Sequence, residues 1–338
     1  MMMMKRWDLK FIVNLLRVFC LYHYVPLVVA VCVTYRCPCH CGMCRQVQRD
    51  LRRDLQRDLH ELSLQEIEQL FNYLKKRGTK FLHLTGGEPL MRRDLKEILI
   101  LARKCRFYIT LQTSGVDPYG IFSETLPYVD HYFLSIDGVK SIHDSNRGEG
   151  AYQHTLELIT MLKSAKKKIK LCCAYGEYNK ASLPHLLNLS QGLQVPIKFT
   201  PIVLGRHNKN EINKYYAPTA ETINEVVNHL LKAKKNNPFI SSSKEALLNF
   251  QRKSLRGRKS CNYCYLKILP SGIAQRCSLI DENSDSSVQL KLETYQSFIN
   301  SLKNMPLTQC ENPVLNCSEL SNFLQFKINW IIKTLKDL

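Results

Sequence analysis

The chain has 338 residues and a formal charge of +19, from 48 Lys and Arg against 29 Asp and Glu, and 45% of its residues are hydrophobic. That composition excludes a largely disordered chain and leaves room for two small domains or one barrel with an appendage. Nine of its 14 Cys gather at 37–44 and 261–317, too sparse and too clustered for a secreted disulfide scaffold, which points to metal in a reducing, cytoplasmic compartment; the excess charge favours anionic partners and says nothing of fold.

In chain order, "MMMMKRWDLKFIVNLLRVFC" is basic and then apolar, but Asn14, Arg17, His23 and Pro26 interrupt any membrane span. An amphipathic helix is predicted over 8–22. It has two readings: packing against the protein body, or peripheral membrane contact with Lys10 and Arg17 toward lipid phosphates. Six apolar, β-branched or aromatic runs follow: "PLVVAVCVTY" (26–35), "KFLHLT" (80–85), "RFYITLQT" (106–113), "HYFLSID" (131–137), "IKLCCAY" (169–175) and "PIKFTPIVL" (196–204). Each leads into a polar or Gly-rich break and then a helical pattern, the signature of parallel βα units.

Between the first two runs, "QRDLRRDLQRDLHEL" predicts a short solvated helix. The next helix starts at Ser63, which forms a capping box with Glu66, and stops at Gly78. Further helices are predicted over 94–104, 150–165, 181–192 and 220–236. "AKKKIK" (165–170) reads as a solubilising run on the barrel face away from chemistry. "KKNNP" marks a boundary, "SDSSVQ" (284–289) reads as a loop, and a last amphipathic helix is predicted over 318–336. The expected organisation is a helical segment over 1–24, a core domain over 25–237 and an extension over 238–338.

The chemistry-bearing residues follow the strands. Cys37, Cys41 and Cys44 stand at C-x3-C-x2-C directly after the first run. Three thiolates on a four-iron cubane leave one iron open to a molecule that is not protein, whereas a structural zinc wants four closed ligands, the fourth from Cys39 or His40. "TGGEP", "TSG" and "SIDG" end the second, third and fourth runs, and loops at that end of a parallel barrel build its active site. No G-x-G-x-x-G opens a helix, which excludes the dinucleotide-binding reading.

In order and spacing, "CPCHCGMC", "TGGEPL", "QTSG" and "SIDG…HDSNRGEGAY" resemble the radical S-adenosylmethionine (radical SAM) enzymes, over residues 26–205. The resemblance implies an α/β fold, a partial (β/α)6 TIM barrel with a small Cys-rich C-terminal extension. It further implies that Cys37, Cys41 and Cys44 hold a [4Fe-4S] cluster whose open iron chelates S-adenosylmethionine. One electron from the cluster then yields a 5'-deoxyadenosyl radical that abstracts hydrogen from substrate. By the same resemblance, Gly86, Gly87 and Glu88 receive the methionyl ammonium, Ser135 and Asp137 contact the cofactor, Arg147 meets its carboxylate and Thr113 its ribose. Met43 stands where the family places an aromatic residue against adenine, and Cys39 is a bystander.

In the second Cys group, Cys261, Gly272 and Cys277 resemble the C-x9–15-G-x4-C opening of SPASM and twitch extensions, with a hairpin through "LPSG". Cys264, Cys310 and Cys317 complete five candidates for the four ligands of an auxiliary [4Fe-4S] cluster. The implied partners are a peptide or small-metabolite substrate and an electron donor such as flavodoxin or ferredoxin. Two alternatives stay open: the same chemistry on a membrane- or lipid-linked substrate, motivated by the N-terminus, and a zinc-dependent nucleic-acid-binding protein, although no strong nucleic-acid signal accompanies the charge.

Overall fold

The computed structural model describes residues 13–14, 17, 25–44, 60–202, 215–251, 265–275 and 287–289. The helices predicted over 8–22, 48–62 and 318–336 lie wholly or mostly outside these residues, as do Cys261, Cys264, Cys277, Cys310 and Cys317. Among the described residues no helix is long and apolar enough to cross a membrane.

All six predicted runs form strands: β1 (Val28–Cys32), β2 (Phe81–Thr85), β3 (Tyr108–Thr113), β4 (His131–Ser135), β5 (Lys168–Tyr175) and β6 (Ile197–Pro201). They pair in parallel in the order β6-β5-β4-β3-β2-β1. The helices on the way are α1 (Leu64–Arg77), α2 (Leu95–Lys104), α3 (Phe122–Thr125), α4 (Lys140–Arg147), α5 (Ala151–Ser164) and α6 (Leu183–Leu193), followed by α7 (Ala220–Ala233) and α8 (Lys244–Gln251). The architecture is a partial (β/α)6 barrel.

Past α8, β7 (Tyr265–Ile268) continues the sheet parallel to β1 and turns back into β8 (Ile273–Gln275), which pairs with β9 (Ser287–Gln289). The β7–β8 hairpin through "LPSG" forms as expected. Gly272 sits at φ +84, a conformation open to glycine, and its N–H donates to Leu269 O at 2.9 Å. Within "SDSSVQ", residues 287–289 are a strand and not part of a loop. The composition read as a turn because Ser and Asp favour turns locally, but the ladder with β8 overrides that preference.

Alternation along the strands divides the sheet into two faces. Val29, Val31, Leu82, Leu84, Ile109, Leu111, Tyr132, Leu134, Ile169, Leu171, Ile197 and Phe199 are buried in one core with the apolar stripes of the helices. The stripe of α1 is Ile67, Leu70, Phe71 and Leu74. That helix is bounded where its sequence demands: Ser63 Oγ accepts from Glu66 N–H, Glu66 Oε2 accepts from Ser63 N–H at 2.8 Å, and Gly78 closes it at φ +94. The run "AKKKIK" stays largely in solvent, with Lys166 and Lys168 exposed; β5 begins at Lys168, and Lys170, on the face opposite the core, is half-buried.

Candidate functional site

At the C-terminal rim, the loop after β1 and the loop after β2 are sewn together by backbone hydrogen bonds. Gly87 N–H donates to Thr34 O at 2.8 Å and Glu88 N–H to Arg36 O at 2.8 Å. The contact explains both glycines. A Cβ at Gly87 would stand 2.2 Å from Arg36 O, and one at Gly86, whose φ is +150, would stand 2.7 Å from Thr34 O. Arg92 completes the seam, donating to Val33 O and Leu62 O at 2.7 Å each while paired with Asp94.

Glu88 ties this seam to the end of β3. Only 1% exposed, its carboxylate accepts from Thr113 Oγ1 at 2.5 Å, Leu90 N–H at 3.3 Å, Ser114 N–H at 2.7 Å and Ser114 Oγ at 2.6 Å. Burial nevertheless outweighs these donors and pushes its pKa up to about 7. Ser114 in turn is 3.6 Å from Cys39 Sγ. Cys39 is 1% exposed and shares side-chain hydrogen bonds with Cys37 and Cys41, which hold its pKa well below the thiol range. The same bonds, together with burial, push Cys37 and Cys41 well above it. Cys44 N–H donates to Cys41 O at 2.9 Å, closing the turn.

A second knot forms after β4. Asp137 is fully buried, and its carboxylate receives Arg147 Nε at 2.7 Å, Arg147 Nη2 at 3.0 Å and Asn146 Nδ2 at 2.7 Å. Its backbone N–H donates to His143 Nδ1 at 3.1 Å, and its carbonyl accepts from Asn179 Nδ2 at 2.7 Å. The first of these places the imidazole proton on Nε2, which has no partner among the described residues. Burial lowers the His143 pKa to about 4. Burial also opposes the Arg147 charge, but Asp137 and the Cys41 and Cys39 sulfurs overcome it and hold the guanidinium charged. Asn146 joins this knot to the Cys loop: its Oδ1 accepts from Gly42 N–H at 3.1 Å and its Nδ2 lies 3.2 Å from Met43 Sδ.

The structure thus brings together Cys37, Cys41, Met43, Gly86, Gly87, Glu88, Thr113, Asp137 and Arg147 on one rim. Ser135 is one layer below, accepting from Gln112 Nε2 at 3.1 Å. Thr113 spends its hydroxyl proton on Glu88, and Arg147 spends Nε and Nη2 on Asp137. Sequence reasoning missed Ser114, His143, Asn146 and Asn179. Asn146 and His143 were inside the quoted "HDSNRGEG", and Asn179 follows the end of β5, so position at strand ends was the signal for each. Cys39, read as a bystander, lies between the two sulfurs it was set apart from.

Does this rim fit an iron–sulfur cluster? Among the described residues no three Cys, His, Asp or Glu side chains converge on a single-ion site. A cubane does not ask for that convergence, because each of its irons takes its own thiolate. Soft sulfur donors on one short loop, with a buried cation beside two of them, fit such a group in kind.

Comparison with known proteins agrees. The model of the radical SAM superfamily matches residues 31–189. Pre-heme d1 synthase of Dinoroseobacter shibae is 30% identical over 183 residues, covering 53% of this chain and 44% of that protein. PqqA peptide cyclase of Granulibacter bethesdensis is 27% identical, over 48% of this chain and 43% of that one. The match thus spans less than half the length of either relative. Streptococcus suis SuiB, solved bound to S-adenosylmethionine, shares the fold with a TM-score of 0.63 at 13% identity, over 80% of this chain and 66% of SuiB. Residues 31–189 thus carry a radical SAM superfamily domain.

Proposed function

We propose that the chain is a radical SAM enzyme in which Cys37, Cys41 and Cys44 hold a [4Fe-4S] cluster, and that it abstracts hydrogen from a peptide or a small metabolite. The observation that carries this reading is the meeting of the Cys loop, the Gly-Gly-Glu loop and the Asp137–Arg147 pair on one rim, within the segment that matches the superfamily. When bound, the cluster and S-adenosylmethionine supply the reducing electron and the sulfonium that together give a 5'-deoxyadenosyl radical.

The chain's own residues shape the surroundings. Arg147, buried against Cys39 and Cys41, offsets thiolate charge and holds the Asp137 carboxylate by two hydrogen bonds. Asn146 fixes the Gly42–Met43 turn, so Met43 is presented in one position as the adenine contact. Gly86 and Gly87 keep the methionyl segment against the Cys loop, and Glu88 braces it from the end of β3. Thr113 and Ser135 are assigned to the ribose and to cofactor contact.

The named relatives include a peptide cyclase and a pre-heme d1 synthase, which supports a peptide or a small metabolite as substrate. The core is assigned to 25–237 and the extension to 238–338. Four of Cys261, Cys264, Cys277, Cys310 and Cys317 are assigned to an auxiliary [4Fe-4S] cluster, and flavodoxin or ferredoxin to electron delivery.

The test is anaerobic purification with iron and sulfide analysis, then reduction by dithionite with S-adenosylmethionine and assay of 5'-deoxyadenosine. Cys41→Ala is expected to abolish the product and Cys39→Ala to leave it. Equal loss in both variants would put the ligand set in error, and colourless protein carrying zinc would overturn the reading.

A further inference from the structure

The rim carries the chemistry, and the opposite end of the barrel carries charge. The turns that lead from a helix into the next strand gather there. They read "KKRGTK" (75–80) before β2, "RKCRF" (103–107) before β3, "LPYVD" (126–130) before β4 and "KSAKKK" (163–168) into β5. At the end of α7, "KAKKNN" (232–237) joins them, because Phe239 O just beyond it accepts from Ile197 N–H at 2.8 Å, where β6 starts. Asp130 is the sole acid in these stretches, and it is paired with Arg103 at 2.9 Å. Lys75, Lys104, Arg106, Lys166, Lys168 and Lys235 are exposed. Neighbouring turns touch: Lys167 Nζ donates to Val129 O at 3.2 Å, and Lys168 Nζ lies 6.0 Å from the Tyr108 centroid.

Ordinary causes explain part of this charge. Cations in a last helical turn complement the helix dipole, which accounts for Lys75, Lys76, Arg77, Arg103 and Lys104. Arg106 and Lys166 need another reason. Both stand past a helix end in the left-handed region, at φ +62 and +54, where a side chain is strained and glycine is not. The chain sets a cation at each of these turns in spite of the strain. Apolar groups border the same end. Met161, 44% exposed, lies one turn before it on α5, its carbonyl accepting from Ala165 N–H at 2.9 Å. Val13, 37% exposed, adjoins Asn14, whose side chain packs beside Gly78 of the first turn. Arg17, one helical turn from Val13, is exposed as well.

We infer that this end of the barrel docks on an anionic lipid bilayer, with the basic turns against the headgroups, Val13 and Met161 at the apolar boundary, and the rim turned away from the lipid. Gathered on one face, the cations repel one another, and a negative surface removes that repulsion. Lysine, the commoner cation in these turns, is a point charge that suits the diffuse field of a bilayer, which asks for no forked geometry. A single-stranded nucleic acid would use exposed aromatic rings as stacking platforms. Among the described residues the exposed large rings are Tyr119, after β3, and Tyr215, before α7, both toward the rim. The groups beside the basic turns are aliphatic, as insertion among lipid requires.

The full-length protein, purified anaerobically, is sedimented with vesicles of phosphatidylserine and phosphatidylcholine in equal parts and with vesicles of phosphatidylcholine alone, and is titrated with single-stranded and duplex oligonucleotides at the same salt. Binding to the mixed vesicles only is expected, weakening as salt rises. Arg106→Gly and Lys166→Gly are each expected to weaken it about fivefold, the effect of one charge at the surface. Neither should lower the unfolding midpoint, since relief of the strained φ offsets the freedom that glycine gains on unfolding. Arg106→Lys and Lys166→Arg are expected to bind as the wild type does, and Met161→Gln about twofold more weakly. Lys96→Gln in the first turn of α2, where Lys96 pairs with Glu124, is expected to change nothing. Equal binding to the two kinds of vesicle, indifference to the glycine variants, or tighter binding of either oligonucleotide than of the mixed vesicles would overturn the inference.

Discussion

The two faces of the central sheet are made from alternate residues of the same strands, yet they obey different rules. Toward the helices, Leu82, Leu84, Ile109, Leu111, Tyr132 and Leu134 have no exposed surface, and burial of apolar area decides each choice. Toward the interior, the intervening residues include His83, Thr110, Gln112, His131 and Lys170. Those residues are poor choices for a core and good ones for holding a polar molecule. The difference teaches that stability is drawn from one side and chemistry from the other, so a substitution's effect depends on parity along the strand.

The sharpest way to break that comparison is a pair of neighbours on β3. Leu111→Ala, on the helix side, is expected to cost about 2–5 kcal/mol, since the site is closed and cannot collapse fully around the deletion. Gln112→Ala removes one hydrogen bond to Ser135 and is expected to cost about 1 kcal/mol. Denaturant unfolding of the two variants measures the gap directly. Equal losses would mean that the interior face is a second structural core.

Parity also explains what could be read from the sequence. The six strands were legible because their helix-facing residues alternate without a gap, and α1 because Ser63, Glu66 and Gly78 bracket it. Helix α4 was missed since it carries no apolar stripe: the residues it buries are His143 and Asn146, which serve the Asp137 knot. Lys168 is exposed as expected, but Lys170, half-buried, was assigned to solvent for a related reason. Charge in a strand looks like surface unless the strand has a polar interior to face, and only closure of the sheet creates one. The site loops were legible as motifs, but their mutual bonding was not, because Ser114 to Glu88 and Asn146 to Gly42 span 26 and 104 residues.

Where the polar side becomes enclosed, at the rim, titration replaces hydration as the probe. His143 is fully buried and its pKa falls to about 4. A depressed folded-state value means that the unfolded chain binds the proton first. The stabilisation is therefore present above the ordinary value near 6.5 and lost as pH falls toward about 4. The loss amounts to about 3 kcal/mol across that window. His143→Asn, whose Oδ1 can still accept from Asp137 N–H, is expected to remove most of this acid limb in stability curves between pH 7 and 4. An unchanged limb would place its origin in His83 or His131, whose pKa values burial also lowers to about 4.

A backbone contact on the same rim offers a smaller effect. Gly87→Ala sets a methyl 2.2 Å from Arg36 O, where only movement of the Cys loop can relieve it. The expected cost is about 1–3 kcal/mol. It should be accompanied by altered reactivity of Cys37 and Cys41 toward a thiol reagent, because the displaced backbone carries both. Full stability with unchanged thiol kinetics would show that the seam is more compliant than its hydrogen bonds suggest.

The smallest effect expected is at Ser114, and its sign is the informative part. Ser114 Oγ donates to Glu88 Oε2 at 2.6 Å, a bond that favours the charged carboxylate against a burial that already raises its pKa to about 7. Ser114→Ala removes the donor but leaves the backbone N–H of residue 114, so about 1 kcal/mol of support for the ionised form is lost. The Glu88 pKa is then expected to move above its wild-type value, as read from the carboxyl carbon shift of labelled protein. Because a raised carboxyl makes the folded state the better proton binder, its stabilising contribution exists at low pH and declines as pH rises through the folded value. In the variant that decline extends to higher pH than in the wild type. A downward shift would mean that water, entering where the hydroxyl stood, solvates the carboxylate better than Ser114 does, and that the enclosure separating the rim from solvent is thinner at β3 than the burial of Glu88 implies.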